Sequence, residues 1–369
     1  MERAFARVDL DAVRANCARL RSQLDAGAEL CAVVKADGYG HGADDCAGAA
    51  LAGGATRLAV ATAAEAERIG RRYQHVPLLT LGALTAEEVD GVISAGSELA
   101  IWSEGFRALV AARARAHGHR ARVHVKYDSG MGRLGSADVE EVLGLARACA
   151  ADRDLELAGI WTHLATADEL DSDFFDEQLD RFDAVAAAVK AEFPGVVAHA
   201  ANSAAVLRDS RSHHDMARCG VAIYGLDPFQ RDPAEQGLVP ALSLRSYVAA
   251  VKRFETGASA GYGRKWTAPT DTWVGVIPLG YGDGVRRALT NNADVLVDGR
   301  RRPLVGTVSM DNVTVDLGPE GDVETGAEAV LIGAQGAEAI LAEEWASRLQ
   351  TINYEVTCGI SARVPRRSA

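Results

Sequence analysis

The sequence predicts an α/β protein: a (β/α)8 TIM-type barrel over residues 1–235, followed by a mostly β domain over 236–369. Three observations lead there. Eight short apolar runs alternate with Ala-rich helical stretches in the first 235 residues, the pattern of parallel strands buried on both faces. Beyond about residue 235 the texture changes to β-type segments punctuated by turns. At 369 residues, 48% of them hydrophobic, the chain can bury two cores.

The elements follow in order. Leu10, Val13, Cys17, Leu20 and Leu24 recur at spacings of three and four, which predicts an amphipathic helix over 10–25 with Asp9 or Asp11 as its cap. The eight barrel strands are expected at LCAVV (30–34), RLAV (57–60), PLLT (77–80), ELAI (98–101), RVHVK (122–126), LAGIW (157–161), VVAHA (196–200) and DMARC (215–219), the last being polar and the weakest strand pattern. In the second domain, ALSLRSYVAAVKRF, TWVGVIPLGYGDG, ADVLVDGRRRPLVGTVSMDNVTVDLG and AVLIG read as strands, with turns at VDGR and YGDG. LAEEWASRL (341–349) is the one clear helix there.

The 39 Lys and Arg against 51 Asp and Glu give a net charge of −12, which disfavours nucleic acid and anionic membranes and leaves a small molecule as the expected ligand. No signal-peptide core or bilayer-length apolar run is visible, so a cytoplasmic location is expected. The six cysteines are scattered without a CxxC pair, which fits reduced core thiols, and no metal-ligand cluster is evident.

A barrel carries its chemistry just after the carboxyl ends of its strands. Lys35 follows CAVV and precedes ADGYGHGA; it is either a solvated strand end or, in a buried mouth, an amine suited to a Schiff base. After the seventh run, Asn202 and Ser203 can cap a helix, and after the eighth RCGVAIYG presents Gly220. These two loops are where barrels often hold phosphate, with ordinary capping as the plainer alternative. Arg133 in KYDSGMGRLG and His163 in WTHLAT follow the fifth and sixth runs. A mouth with a lysine, a phosphate cradle, Arg133, Arg218 and a histidine suits an aldehyde cofactor with a phosphate tail.

Nine segments in order, AVVKADGYGHGA, VKYDSGMGRLG, WTHLATAD, HAANSAA, ARCGVAIYGLDP, AGYGRKW, PLGYGDGVRR, GTVSMDN and NYEVTCGISARVPR, span nearly the whole chain. In them the chain resembles bacterial alanine racemase, the fold-type III pyridoxal 5′-phosphate (PLP) family. The resemblance implies interconversion of L- and D-alanine, supplying D-alanine for peptidoglycan. Lys35 would carry PLP and act as one base, and Tyr262 would be the second base. In the family that tyrosine comes from the partner subunit, so a head-to-tail homodimer with shared sites is implied. Tyr39, Ser203, Gly220, Val221 and Tyr354 match phosphate-holding positions, Arg218 the residue beside the pyridine nitrogen, and Arg133 the one near the phenolic oxygen. His163 matches the residue that orients the tyrosine. Met310 and Asp311 match the partner loop at the substrate, and Tyr281 with Tyr354 the entrance constriction. Lys126 matches a lysine carbamylated in some members, where the new carboxylate pairs with the arginine corresponding to Arg133. Ser129, Ser309, Lys265 and Trp266 depart from the usual pattern without removing a reacting group.

Three rivals share parts of this pattern. A single-domain PLP carrier would lack AGYG and SMDN. A decarboxylase of the same fold type would pair an acid with the pyridine nitrogen, where ARCG offers arginine. A broad-specificity alanine/serine racemase differs only in its pocket, and single methylenes discriminate by about 1–3 kcal/mol.

Overall fold

The computed structural model describes residues 2–369. It divides into two compact units, one comprising Val13–Gly38 and Ala43–Ile223, the other residues 2–12, Tyr39–Gly42 and Tyr224–Ala369. Thus the chain's first residues and the short Tyr39–Gly42 segment belong with the C-terminal portion, a grouping that no single cut in the sequence expresses.

The chain begins with β1 (Phe5–Val8) and a helix over Leu10–Arg21, whose first turn is capped by Asp9 Oδ1 accepting the Ala12 N–H at 3.0 Å. The strands of the first unit are β2 (Glu29–Val33), β3 (Arg57–Val60), β4 (Leu78–Thr80), β5 (Glu98–Ile101), β6 (Ala121–Lys126), β7 (Leu155–Trp161), β8 (Val197–His199) and β9 (Met216–Cys219). All pair in parallel in the order β8-β7-β6-β5-β4-β3-β2-β9. Asp215 N–H to Ala198 O (3.0 Å) and Arg218 N–H to Ala201 O (2.9 Å) draw β9 to β8, so the sheet is a nearly closed barrel. Helices follow most strands, and the threonine-glutamate pairs Thr62/Glu65 and Thr85/Glu88 form complete capping boxes at two of them.

Each of the eight expected strands is present, within two residues of its expected ends. β9, polar and so the weakest of the expected strands, is buried throughout, because the acceptors around Arg218 satisfy its guanidinium. None of the six cysteines is in a disulfide.

In the second unit, β10 (Leu242–Tyr247), β11 (Ala250–Phe254), β12 (Ser259–Ala260), β13 (Trp266–Thr267), β14 (Thr272–Ile277), β15 (Asp294–Val297), β16 (Arg300–Pro303), β17 (Val313–Gly318), β18 (Glu328–Gln335), β19 (Glu338–Ile340) and β20 (Arg366–Ser368) form a mixed sheet ordered β16-β15-β18-β10-β1-β20, with β19 paired to β18, an antiparallel sheet β11-β14-β17 and a small hairpin β12-β13. The VDGR turn joins β15 to β16 with Asp298 and Gly299 at φ 51° and 71°, the left-handed pair a tight hairpin requires. Besides the expected helix, found at Ala342–Leu349, a second one spans Asn353–Cys358. Its six residues are too few to show a 3.6-residue repeat. β1 escaped the sequence reading because it lies at the N-terminus, far along the chain from its neighbours β10 and β20. Among the described residues no helix is long and apolar enough to cross a membrane.

Candidate active site

Lys35 stands two residues past the end of β2, at the carboxyl rim of the barrel. After it, Ala36, Asp37, Gly38 and Tyr39 take φ values of 52°, 51°, 65° and 53°. For each of the three non-glycine residues this costs about 1–2 kcal/mol, so surrounding bonds must hold it. Gly38 N–H donates to Val34 O at 2.9 Å, Ala36 N–H to Glu65 Oε1 at 2.7 Å, and Asp37 Oδ1 accepts from Ala43 N–H (3.1 Å) and Arg68 (2.9 Å). A left-handed turn so heavily pinned fixes the direction in which the chain leaves Lys35.

The other cations expected at the mouth gather around His163. Burial first, and then the charges of Arg218, Arg133, Lys126 and Lys35, hold its imidazole well below the usual range, so it is neutral. Lys126, the last residue of β6, is 1% exposed, and burial followed by Arg133 and Arg218 lowers its ammonium to about 8. Asp128, the nearest acid in sequence, is committed to the N–H groups of Gly130, Met131 and Gly132. The mouth is therefore strongly electropositive.

Arg218 is 3% exposed, and no carboxylate touches it among the described residues. Nη1 donates to His199 Nδ1 (2.8 Å) and His199 O (3.0 Å). Nη2 donates to Thr162 O (2.8 Å), Ala200 O (3.1 Å) and His163 Nδ1 (3.4 Å). Both Nη groups are thus engaged by protein, which leaves Nε–H for another acceptor. Burial lowers this guanidinium only to about 10, so it keeps its charge at neutral pH.

Asn202 caps the Ser203–Arg208 helix through Ala205 N–H (3.0 Å). Ser203 Oγ accepts the N–H of Gly220 (3.0 Å) and of Ala222 (3.4 Å), so one buried hydroxyl ties the loop containing Val221 to that helix. Gly220 is buried and its N–H taken, where the sequence suggested an exposed backbone.

In the other unit, the Tyr39 ring lies 6.0 Å from that of Tyr354 and 5.3 Å from Tyr224, against which His41 stacks. Gly40 is required here: a Cβ would fall 2.2 Å from Thr357 O. Tyr262 sits between β12 and β13 and is 73% exposed; Thr307 Oγ1 donates to its carbonyl at 2.7 Å. Tyr281 N–H and Gly282 N–H donate to Ser309 O and Met310 O, both at 2.9 Å, and Asp311 is held by Arg363 at 2.7 Å. One face thus presents Tyr262, Tyr281, Met310 and Asp311 on three hydrogen-bonded loops.

Sequence reasoning missed the supports of these groups. Asp283 is fully buried, takes both Nη groups of Arg3 and accepts Gly280 N–H, which braces the Tyr281 loop. Glu98, His124 and His199 line the barrel interior. Their signal was a charged or imidazole side chain at a core position of a strand.

Both halves of the chain match a known family, described as "Alanine racemase, N-terminal domain" over residues 8–228 and "Alanine racemase, C-terminal domain" over 241–368. The chain is 41% identical over 369 residues to the alanine racemase of Symbiobacterium thermophilum, covering 99% of this chain and 97% of that one. It is 40% identical over 373 residues to that of Geobacillus stearothermophilus, covering 98% and 92%. Among solved structures, alanine racemase from the D-cycloserine producing Streptomyces lavendulae superposes with a TM-score of 0.94 at 36% identity, over 100% of this chain and 97% of that one. The Bacillus anthracis enzyme with bound L-Ala-P gives 0.91 at 35%, over 100% and 95%.

Proposed function

The chain belongs to the alanine racemase family, isomerases of the two alanine enantiomers, and we propose that it acts in the cytoplasm with PLP bound at Lys35, using Lys35 and Tyr262 as the two bases and supplying D-alanine for peptidoglycan. The observation that carries this reading is Arg218. A buried guanidinium with both Nη groups committed and no carboxylate beside it fits a pyridine nitrogen that must accept a hydrogen bond without being protonated. An acid there would protonate the ring and favour decarboxylation or transamination. The electropositive mouth and the Ser203, Gly220 and Val221 loop fit a phosphate, with Asn202, Tyr39 and Tyr354 as further holders.

When bound, PLP withdraws electrons from the substrate Cα and makes its proton removable. Lys35 Nζ takes or returns that proton on one face and Tyr262 Oη on the other, since inversion needs two bases straddling a planar carbon. His163 accepts from Arg218 at Nδ1, so its own hydrogen is on Nε2, from which it can donate to a tyrosine oxygen and stabilise the phenolate. Tyr262, Tyr281 and Met310 are unusually exposed for their size, which supports their being covered by a second copy whose Lys35 site they complete. On this reading the dimer has shared sites, Met310 and Asp311 border the substrate, Tyr281 narrows the entrance, and Arg133 faces the phenolic oxygen. Residues 1–235 serve as the cofactor-binding part and 236–369 supply the second base.

The test is loss of optical rotation across a panel of L-amino acids with PLP added. Alanine is expected to turn over fastest, with minor activity on serine; release of carbon dioxide would overturn the assignment. Lys35→Ala is expected to lose the visible absorbance of lysine-bound cofactor, and retention of that band after dialysis would remove Lys35 from the role.

A further inference from the structure

Behind Arg218 a file of polar side chains runs along the inside of the barrel. His199 Nε2 is 2.9 Å from His124 Nδ1, His124 Nε2 is 2.6 Å from Glu98 Oε2, and Glu98 is paired with Arg57 and Arg122, each at 3.0 Å. Glu98, His124 and His199 are buried, Arg57 is partly exposed and Arg122 about half exposed. The distances admit one pattern of hydrogens. A guanidinium has no acceptor, so His199 Nδ1 must accept from Arg218. Neutral His199 then carries its hydrogen on Nε2 and donates to His124 Nδ1. His124 in turn carries its hydrogen on Nε2 and donates to Glu98, which accepts it. Burial pushes the Glu98 carboxyl up, but the hydrogen bond from His124 and the charges of Arg57 and Arg122 outweigh it and hold the group well below the ordinary carboxylate range. Burial and the Arg218 charge likewise keep His199 neutral.

β7 lies between the strands that carry the two histidines, and it makes room for their contact at a single residue. Gly159 is the register partner of His124, and a Cβ there would come within 1.9 Å of His124 Nδ1. The file therefore runs across β5, β6, β8 and β9, with Gly159 of β7 leaving space for it, and its buried polar groups satisfy one another.

We propose that Glu98, through His124 and His199, is a positioning group for the reaction: it fixes the direction of this hydrogen-bonded file so that an acceptor always faces Arg218, holding the guanidinium at the mouth as a donor. With Glu98 replaced by glutamine, the amide can donate to His124 as readily as accept. The reversed file then places His199 Nδ1–H against Arg218, donor to donor, and pushes the guanidinium away. The inference rests on the reading of Arg218 as the donor to the cofactor ring, but the hydrogens can be located without reference to it.

Neutron diffraction from deuterated protein tests the pattern directly. Deuterium is expected on Nε2 alone of both His124 and His199; deuterium on His199 Nδ1, or on both nitrogens of His124, would overturn the proposal whatever the enzyme's activity. In Glu98→Gln, mixed tautomers are expected together with a kcat lowered on the order of tenfold or more and KM within about twofold, the usual consequence of losing the partner that orients a functional histidine. Unchanged tautomers with unchanged kcat in a folded Glu98→Gln protein would also sink it. If that variant fails to fold, the wild-type neutron map alone decides.

Discussion

Lys126 Nζ lies 4.7 Å over the centre of the Trp161 ring, inside the barrel and beneath its mouth. Held there at about 8 by burial and then by Arg133 and Arg218, a large share of its amine is uncharged at mildly alkaline pH. A neutral amine attacks carbon dioxide, forming an N–C bond and releasing a proton, and the resulting carboxylate would lie among cations. Carbamylation of Lys126 is therefore expected to increase as pH rises through about 8. Labelled bicarbonate and carbon-13 NMR would report it as a carbamate resonance lost in Lys126→Met; no such resonance at pH near 9 would refute the modification.

Tyr262 and Lys35 are expected to act from different copies of the chain. Because Tyr262→Phe keeps the ring and removes one hydroxyl, it should change stability by no more than about 0.5 kcal/mol while racemisation falls by several orders of magnitude. Mixing Tyr262→Phe with Lys35→Ala and allowing subunits to exchange gives hybrid dimers in which one of two sites has both residues. About a quarter of wild-type activity should return. A mixture that stays inactive despite proven exchange would place both residues in one chain.

The barrel was legible because each buried parallel strand is a short apolar run, and because Lys35, His163, Ser203 and Gly220 come directly after such runs. What could not be read is instructive. The left-handed turn at Ala36, Asp37 and Tyr39 uses residues that ordinarily avoid φ above zero, and it is enforced by Glu65 and Arg68, some 30 residues away. The file from Glu98 to Arg218 needs Gly159 on the strand between its histidines, a three-strand coincidence with no periodicity in sequence. β1 and the Asn353–Cys358 helix are short enough that tertiary pairing, rather than local pattern, makes them.

Ser203 Oγ gathers two backbone N–H groups, from Gly220 and Ala222, so its loss would release the loop proposed to hold the phosphate. Leaving buried donors unsatisfied costs about 1–3 kcal/mol. Ser203→Ala is accordingly expected to weaken PLP binding on the order of tenfold or more, measured by fluorescence titration of the cofactor-free protein. Equal affinity in variant and wild type would show that the loop is set by its backbone alone.

Glu98 also makes acid stability depend on the interior of the barrel. Its folded value of about 2 lies below the ordinary 4.5, so the stabilisation it gives is fully present above about pH 4.5 and is lost as pH falls towards 2. The difference corresponds to a ceiling of roughly 3 kcal/mol. Glu98→Gln lacks that proton linkage. Denaturant unfolding at pH 6 should find wild type ahead of the variant, and at pH 3 the gap should have narrowed, because the unfolded wild-type chain then binds a proton at Glu98 that the folded barrel, held at about 2, still excludes. The two proteins losing stability in parallel between those pH values would mean that other carboxylates, such as Asp283 beneath the Tyr281 loop, govern acid unfolding, since Asp283 is likewise held below its ordinary value, with Arg3 and Gly280 N–H outweighing its burial.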